Sequence, residues 1–305
     1  MMKLGLVSSI LADYTFEQLI DCAAQQNMTC VEVACWPIGK AIRRYAGVTH
    51  IDVGTLTEEK AAYYRDYAAQ RGVEISALAY YPNPMDADLE KRDFYIRHLY
   101  RVIDAAALMQ VNRVTTFIGR DTTKCPEENI ALMLELWPPI VQYAYERGVE
   151  IAIENCPMYY TRDEWPNGTN LAHCPYIWDI MFEKIPLPNF GLNYDPSHML
   201  LQGTDYIRPL YEYKERILHV HLKDVKMNAE GVYRYGMFNY PARFHIPKIL
   251  GQGDIDWGKF VSALHDIRYD GYVCIEIEDK AFESCTEDIL KSIEISRKYI
   301  ASYMG

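Results

Sequence analysis

The chain has 305 residues, half of them hydrophobic and 24% charged, an ordinary globular composition rather than a disordered, collagen-like or membrane-embedded one. Lys and Arg total 31 against 42 Asp and Glu, so the formal net charge is −11, which argues against nucleic acid as a partner. No run approaches the ~20 apolar residues of a membrane span, and the opening Met1–Val7 reaches Asp13 too soon for a signal peptide.

The predicted elements alternate along the chain. A strand at 3–7 precedes a helix over Phe16–Gln26. A strand at 30–34 leads through a long connection, Cys35 to Thr57, into a helix over Glu58–Arg71. The strand at 74–78 is followed by a helix over Leu89–Leu108, and the strand at 112–117 by one over Glu127–Arg147. Strands follow at 150–154, 190–194 and 217–222. A second long connection, Val225 to Asp254, then leads to a helix over Trp257–Ile267 and a last strand at 272–277. Two helices run out at Arg71-Gly72 and Arg147-Gly148, the glycine expected just past a helix C-terminus.

Strands alternating with helices predict a parallel sheet, and eight such units in this length predict an α/β fold of one closed (β/α)8 barrel. No Gly/Ser-rich or low-complexity linker divides the chain, so residues 1–305 are read as a single domain. The eight cysteines are scattered singly, several in apolar runs such as Tyr272-Val273-Cys274-Ile275. They read as free thiols in a reducing, cytoplasmic setting. Asn167-Gly168-Thr169 matches a glycosylation sequon, which such a setting leaves unused.

A barrel carries its chemistry at the C-terminal ends of its strands. The fifth predicted strand ends Ile153-Glu154-Asn155 and the sixth Tyr194-Asp195-Pro196-Ser197-His198. The seventh carries His219-Val220-His221-Leu222-Lys223-Asp224, and the eighth ends Ile275-Glu276-Ile277-Glu278. Converging buried carboxylates repel one another unless a cation compensates them. The set Glu154, Asp195, His221 and Glu276 therefore reads as one divalent-metal site. Its oxygen-rich chemistry favours Mn2+, with Mg2+ or Co2+ as alternatives. Glu276 and Glu278 share side-chain parity, as do His219 and His221, so each pair presents two candidates.

At these residues the sequence resembles the xylose-isomerase-like superfamily of sugar isomerases and epimerases. The likeness runs through Glu154-Asn155, Asp195-Pro196-Ser197-His198, His219 to Asp224 and Gly251-Gln252-Gly253-Asp254-Ile255-Asp256-Trp257. It implies a metal held by Glu154, Asp195, His221 and Glu276. The two glutamates would be the catalytic acid and base, moving a proton on the carbon beside a carbonyl through an enediolate, and His198 would contact substrate hydroxyls. A closer resemblance, through Cys35-Trp36-Pro37, Tyr80-Tyr81-Pro82 and Phe117-Ile118-Gly119-Arg120, is to the catalytic subunit of bacterial C-glycoside deglycosidases. That likeness implies an alternative outcome of the same enolisation, cleavage of a 3-oxo-glycoside, and a small partner subunit. Otherwise a homo-oligomer acting on a small sugar-like substrate is expected.

Further candidates surround this set. Trp36, Tyr80, Tyr81, Phe117 and Arg120 are expected to line the other half of the mouth, and Lys223 to bind substrate. Lys40, Arg43 and Arg44 form a small basic run in the first long connection, while His245 and Lys248 in the second are candidates for a lid over the site. Glu32 ends the second strand and either contacts substrate or braces the barrel. Two rival classes fit less well. A multi-zinc endonuclease of the same superfamily needs a histidine-rich cluster and a basic surface, against eight histidines and a charge of −11. A non-enzymatic binding module leaves the acidic strand ends unexplained.

Overall fold

The computed structural model describes residues 1–39, 45–158, 168–237 and 243–304. Lys40, Arg43, Arg44 and Asn167 lie outside the described residues. Eight parallel strands close a barrel: β1 (Lys3–Val7), β2 (Cys30–Ala34), β3 (Glu74–Ala79), β4 (Arg113–Thr116), β5 (Glu150–Glu154), β6 (Phe190–Tyr194), β7 (Ile217–Leu222) and β10 (Tyr272–Ile275). Each pairs with the next in sequence order, and β10 returns to β1 with Leu4 opposite Val273. Helices α1 (Phe16–Gln25), α2 (Glu58–Ala69), α3 (Leu89–Leu108) and α4 (Pro126–Tyr145) follow the first four strands. The later units carry α5 (Pro175–Lys184), α6 (Pro196–Leu201), α7 (Arg208–Glu212), α9 (Trp257–Asp266) and α10 (Thr286–Met304). The eight barrel strands and the helices α1 to α4 and α9 lie within a few residues of the sequence-predicted positions; α5, α6, α7 and α10 have no predicted range.

Local chemistry sets the helix starts. The Thr15 hydroxyl accepts from the Gln18 amide N–H, and the Gln18 side chain accepts from the Thr15 N–H, a closed capping box before α1. Asp88 accepts from the Glu90 and Lys91 amides at the head of α3. Past α2 and α4, Gly72 and Gly148 adopt φ of 67° and 68°, the left-handed turn that made glycine the expected residue there.

Alternation along the strands sorts the side chains. Val31, Val33, Ile151, Ile153, Val220 and Ile275 join the main core between sheet and helices. The intervening residues turn inward, and His219 on β7 reaches Ser76 on β3 across the barrel, at 3.2 Å. The eight cysteines are all free thiols. Among the described residues, no helix is long and apolar enough to cross a membrane.

The connection from Val225 to Asp254 is not the open lid loop expected from its length. It holds an antiparallel hairpin, β8 (Asp224–Met227) with β9 (His245–Lys248), and a short helix α8 (Ala229–Tyr235). A single carboxylate organises its return. Asp224, fully buried, accepts hydrogen bonds from the backbone of Val225, Gly251, Gly253 and Ile255, and from the Trp257 indole at 2.9 Å. The Gly251-to-Trp257 motif is thus a collar around one anion. A side chain at position 253 would place its Cβ 2.0 Å from an Asp224 oxygen, so only glycine fits. Asp254 adds a bond from the Met227 amide at 2.7 Å, holding the collar to the hairpin.

Asp224→Ala strips the acceptor from five donors at once and is expected to cost at least about 3 kcal/mol of unfolding free energy. Urea denaturation of the variant checks this. A loss below about 1 kcal/mol would show that water or backbone relaxation replaces the carboxylate.

Candidate metal centre and cavity

The four strand ends named by the sequence converge. Glu154 closes β5, Asp195 follows β6, His221 is the penultimate residue of β7, and Glu276 follows β10. One ligand atom from each lies within 4.8 Å of all the others. Asn155 locks two of these ends together: its side chain donates to the Asp195 carbonyl at 2.9 Å and accepts from the Asp195 amide at 2.8 Å. Asp195 also caps α6, accepting from the Ser197 amide through Oδ1 at 2.7 Å. That bond leaves Oδ2 turned toward the cluster. The Glu276 amide donates to the Leu222 carbonyl, which carries the β7–β10 pairing to the level of the site.

The facing atoms are short of partners in a way that fits a cation. Asp195 Oδ2, His221 Nδ1 and Glu276 Oε2 are buried without a hydrogen bond. His221 Nδ1 lies 3.0 Å from Glu276 Oε2 and 3.9 Å from Glu154 Oε1. His198 Nε2 sits 3.2 Å from both Glu154 Oε1 and Asp195 Oδ2, and its hydrogen bond goes to Glu154. Three carboxylates and one imidazole, each offering an acceptor to the same point, suit a divalent ion bound mainly through oxygen.

The two glutamates are held differently. Burial pushes the Glu154 carboxyl up, against the His198 hydrogen bond. Burial acts on Glu276 too, but Lys223 and His221 override it and hold its carboxyl well below the usual range. Lys223 donates to Glu276 at 2.8 Å and also pairs with Glu278 at 3.1 Å. Of the two parity-related glutamates, Glu276 therefore stands in the cluster and Glu278 one step outside it. Of the two histidines, His221 reaches the cluster. His219 lies deeper, bonded to Asn193 at 3.0 Å and facing Ser76.

A cavity opens over this group, walled on the far side by Trp36, Tyr81, Phe117, Cys156 and Met158. Trp36, Lys223, Glu154 and Glu276 thus meet there as expected from sequence. Tyr80 does not belong to this wall. Its ring is fully buried, edge-on to Trp36 and His98 with centroids 5.0 and 4.6 Å apart, and the next residue, Tyr81, faces the cavity instead. Arg120 is also absent from the cavity wall. Its backbone is clamped by the Asn83 side chain, and its charge adds to burial in holding the His173 pKa down. His245 opens β9 with its ring against Phe244, at 4.5 Å. Burial, with His198 and Lys223 nearby, pushes its pKa down to about 4, so it is neutral at pH 7. Lys248 pairs with Asp279 at 3.3 Å. Cys156 and Met158 were not expected in the wall. Cys156 follows Glu154 by two, so parity alone would have placed it there.

A profile of the family described as xylose isomerase-like TIM barrel matches residues 20–299. The uncharacterized protein YfiH of Bacillus subtilis is 25% identical over 305 aligned positions, covering 91% of this chain and 93% of that one. An inosose dehydratase of Clostridium perfringens is 36% identical over 112 residues, 36% of each chain. Among solved structures, D-psicose 3-epimerase of Clostridium cellulolyticum H10, determined with D-tagatose, superposes with a TM-score of 0.72 at 13% identity, covering 99% of both chains. The closed barrel and the profile spanning nearly its whole length agree: the chain belongs to the xylose isomerase-like TIM barrel family.

Proposed function

We propose that the protein is a divalent-metal-dependent sugar isomerase or epimerase. It removes a proton from the carbon beside a carbonyl of a small polyhydroxy ketone and returns it to a different face or carbon. The observation that carries this reading is the meeting of Glu154, Asp195, His221 and Glu276, with three acceptor atoms turned inward and unbonded.

Glu154, Asp195, His221 and Glu276 hold the cation, which when bound supplies polarisation of the substrate carbonyl and its neighbouring hydroxyl. The rest of the chemistry belongs to the chain. A proton beside a ketone is a very weak acid, so a carboxylate must sit against it in the correct direction. Glu154 and Glu276 come from β5 and β10, three strands apart in the barrel, so one removes the proton and the other returns it. Lys223, which lines the cavity, presents a hydrogen-bond donor for substrate oxygens, and His198, bonded to Glu154 through Nε2, steadies that carboxylate. Trp36, Tyr81 and Phe117 offer an apolar wall for the C–H face of a sugar and keep water from the carbanion. Lys223 is already committed to two glutamates, so the charge of the described wall favours an uncharged substrate over a sugar phosphate.

A second reading, loss of water from the same enolised ketone, is favoured by the likeness to inosose dehydratase. Both outcomes share the deprotonation step and differ in whether a hydroxyl leaves from the adjacent carbon.

Two outcomes are expected. Mn2+ at about a hundred times its dissociation constant should stabilise the protein by about 2.7 kcal/mol, reversibly with a chelator. Asp195→Asn should abolish that shift, and a shift retained in the variant would remove Asp195 from the ligand set. With Mn2+ present, NMR in D2O against a panel of free ketoses, inososes and 3-oxo-glycosides should show deuterium entering beside the carbonyl. Glu154→Gln and Glu276→Gln should each slow that exchange by about 10²–10⁴-fold while melting near the wild type. Full exchange in either variant would refute its role. A new epimer or isomer identifies the leading reaction, an enone the dehydratase, and free aglycone a glycoside lyase.

A further inference from the structure

Glu32 is a fully buried carboxylate that the proposed proton transfers do not use. It lies at the middle of β2, three strands round the barrel from β7, and its two oxygens have different partners. Oε1 accepts from the Tyr81 hydroxyl at 2.8 Å, and Oε2 lies 2.8 Å from His221 Nε2. His219 Nδ1 stands 3.5 Å from the same Oε2.

A competing contact sits beside it. The Asn193 side-chain nitrogen lies 3.0 Å from His221 Nε2. If that amide donated to Nε2, the ring proton of neutral His221 would sit on Nδ1, the atom that faces the metal position, and the nitrogen could not bind. The neighbouring bonds place the surrounding protons. Asn193 Oδ1 can only accept, so His219 Nδ1 carries a proton and donates to it at 3.0 Å. In that orientation the Asn193 nitrogen also reaches the Tyr81 oxygen, at 3.0 Å. Tyr81 accepts there and donates its own proton to Glu32. That places the His219 Nδ1 proton, one Asn193 N–H and the Tyr81 hydroxyl proton, and leaves the second Asn193 N–H and the Glu32 carboxylate competing for His221 Nε2. The carboxylate is the stronger, charge-assisted partner, so His221 Nε2 donates to it.

We propose that Glu32 is a positioning residue that fixes His221 with its proton on Nε2 and so presents Nδ1 to the metal. The assignment rests on the metal centre of the proposed function. Its logic is general: the ring nitrogen away from a metal is held by an acceptor that fixes the ligand's orientation and tautomer. Here the acceptor comes from the opposite half of the barrel, from a strand that contributes no ligand.

The test uses Mn2+ titrated into the full chain and followed by electron paramagnetic resonance, with melting temperature recorded alongside. Glu32→Ala should weaken Mn2+ binding about 10–100-fold. Glu32→Gln keeps an acceptor oxygen and should fall between the variant and the wild type, and it carries the test if the alanine variant does not fold. In protein labelled with 15N histidine and loaded with diamagnetic Zn2+, His221 should show a protonated Nε2 and a metal-bound Nδ1. A brace acting only on the barrel would lower the melting temperature and leave Mn2+ affinity and the ring signals unchanged. That result in the alanine variant, or wild-type affinity in both variants, overturns the proposal while leaving the metal centre standing. A wild-type chain that binds neither Mn2+ nor Zn2+ overturns the metal centre and this assignment with it.

Discussion

Three carboxylates gathered at one point, two of them buried, are the constraint on which the rest of the structure depends. Glu154, Asp195 and Glu276 leave separate strands, and the barrel closes them onto a common centre. At separations of 4 to 5 Å, unit charges of like sign oppose each other by roughly 3–4 kcal/mol per pair at an effective dielectric near 20. The chain does not relieve this by pairing each acid separately. His198 serves Glu154, Lys223 serves one oxygen of Glu276, and Ser197 serves one oxygen of Asp195. In Asp195 and Glu276 the second oxygen is left facing inward. Half of each carboxylate is thus satisfied by protein, which orients the other half without neutralising it.

The same alternation that builds the site also builds its support. Lys223 and Asp224 are consecutive at the end of β7, and extended backbone sends them to opposite sides. Lys223 turns to the cavity and steadies Glu276, while Asp224 turns to the collar of Gly251, Gly253 and Trp257. The collar leads directly into α9 and on to β10, whose end carries Glu276. One dipeptide therefore ties the metal-facing acid both directly and through the chain that delivers it. A motif rich in Gly and Asp beside a catalytic face invites a ligand-binding reading. Its geometry here is that of an internal anion clamp.

The sequence made some of this legible and left the rest hidden, for physical reasons. Strand positions followed from short apolar runs, and the four candidate ligands from the acids and histidine at the ends of those runs, because a parallel barrel buries both faces and admits polar groups only where something compensates them. Glu276 and Glu278, with equal parity, could not be separated by pattern alone. Lys223 separates them in space, by pairing with both while only Glu276 reaches the other ligands. Tyr80 and Tyr81 differ by one position and hence by one face, and strand β3 ends at Ala79, where pattern gives no register. The hairpin in the second long connection was invisible because its strands are four residues each and one contains Pro247. The role of Glu32 depended on contacts to residues some 50 and 190 positions away, and no local spacing encodes those.

The cavity is divided by strand. Strands β5, β6, β7 and β10 bring the acids, the imidazole and the lysine; the segments after β2, β3 and β4 bring Trp36, Tyr81 and Phe117. A sugar has a matching division, with hydroxyls at its edge and a C–H surface on its face, so the two walls together can orient one without any charge on it. In a fold that hosts many reactions, the ligand half sets what can be deprotonated, and the aromatic half sets which carbon is held over the base. Enolisation beside a ketone opens both epimerisation and dehydration. The choice between them falls to whichever group stands over the hydroxyl on the next carbon.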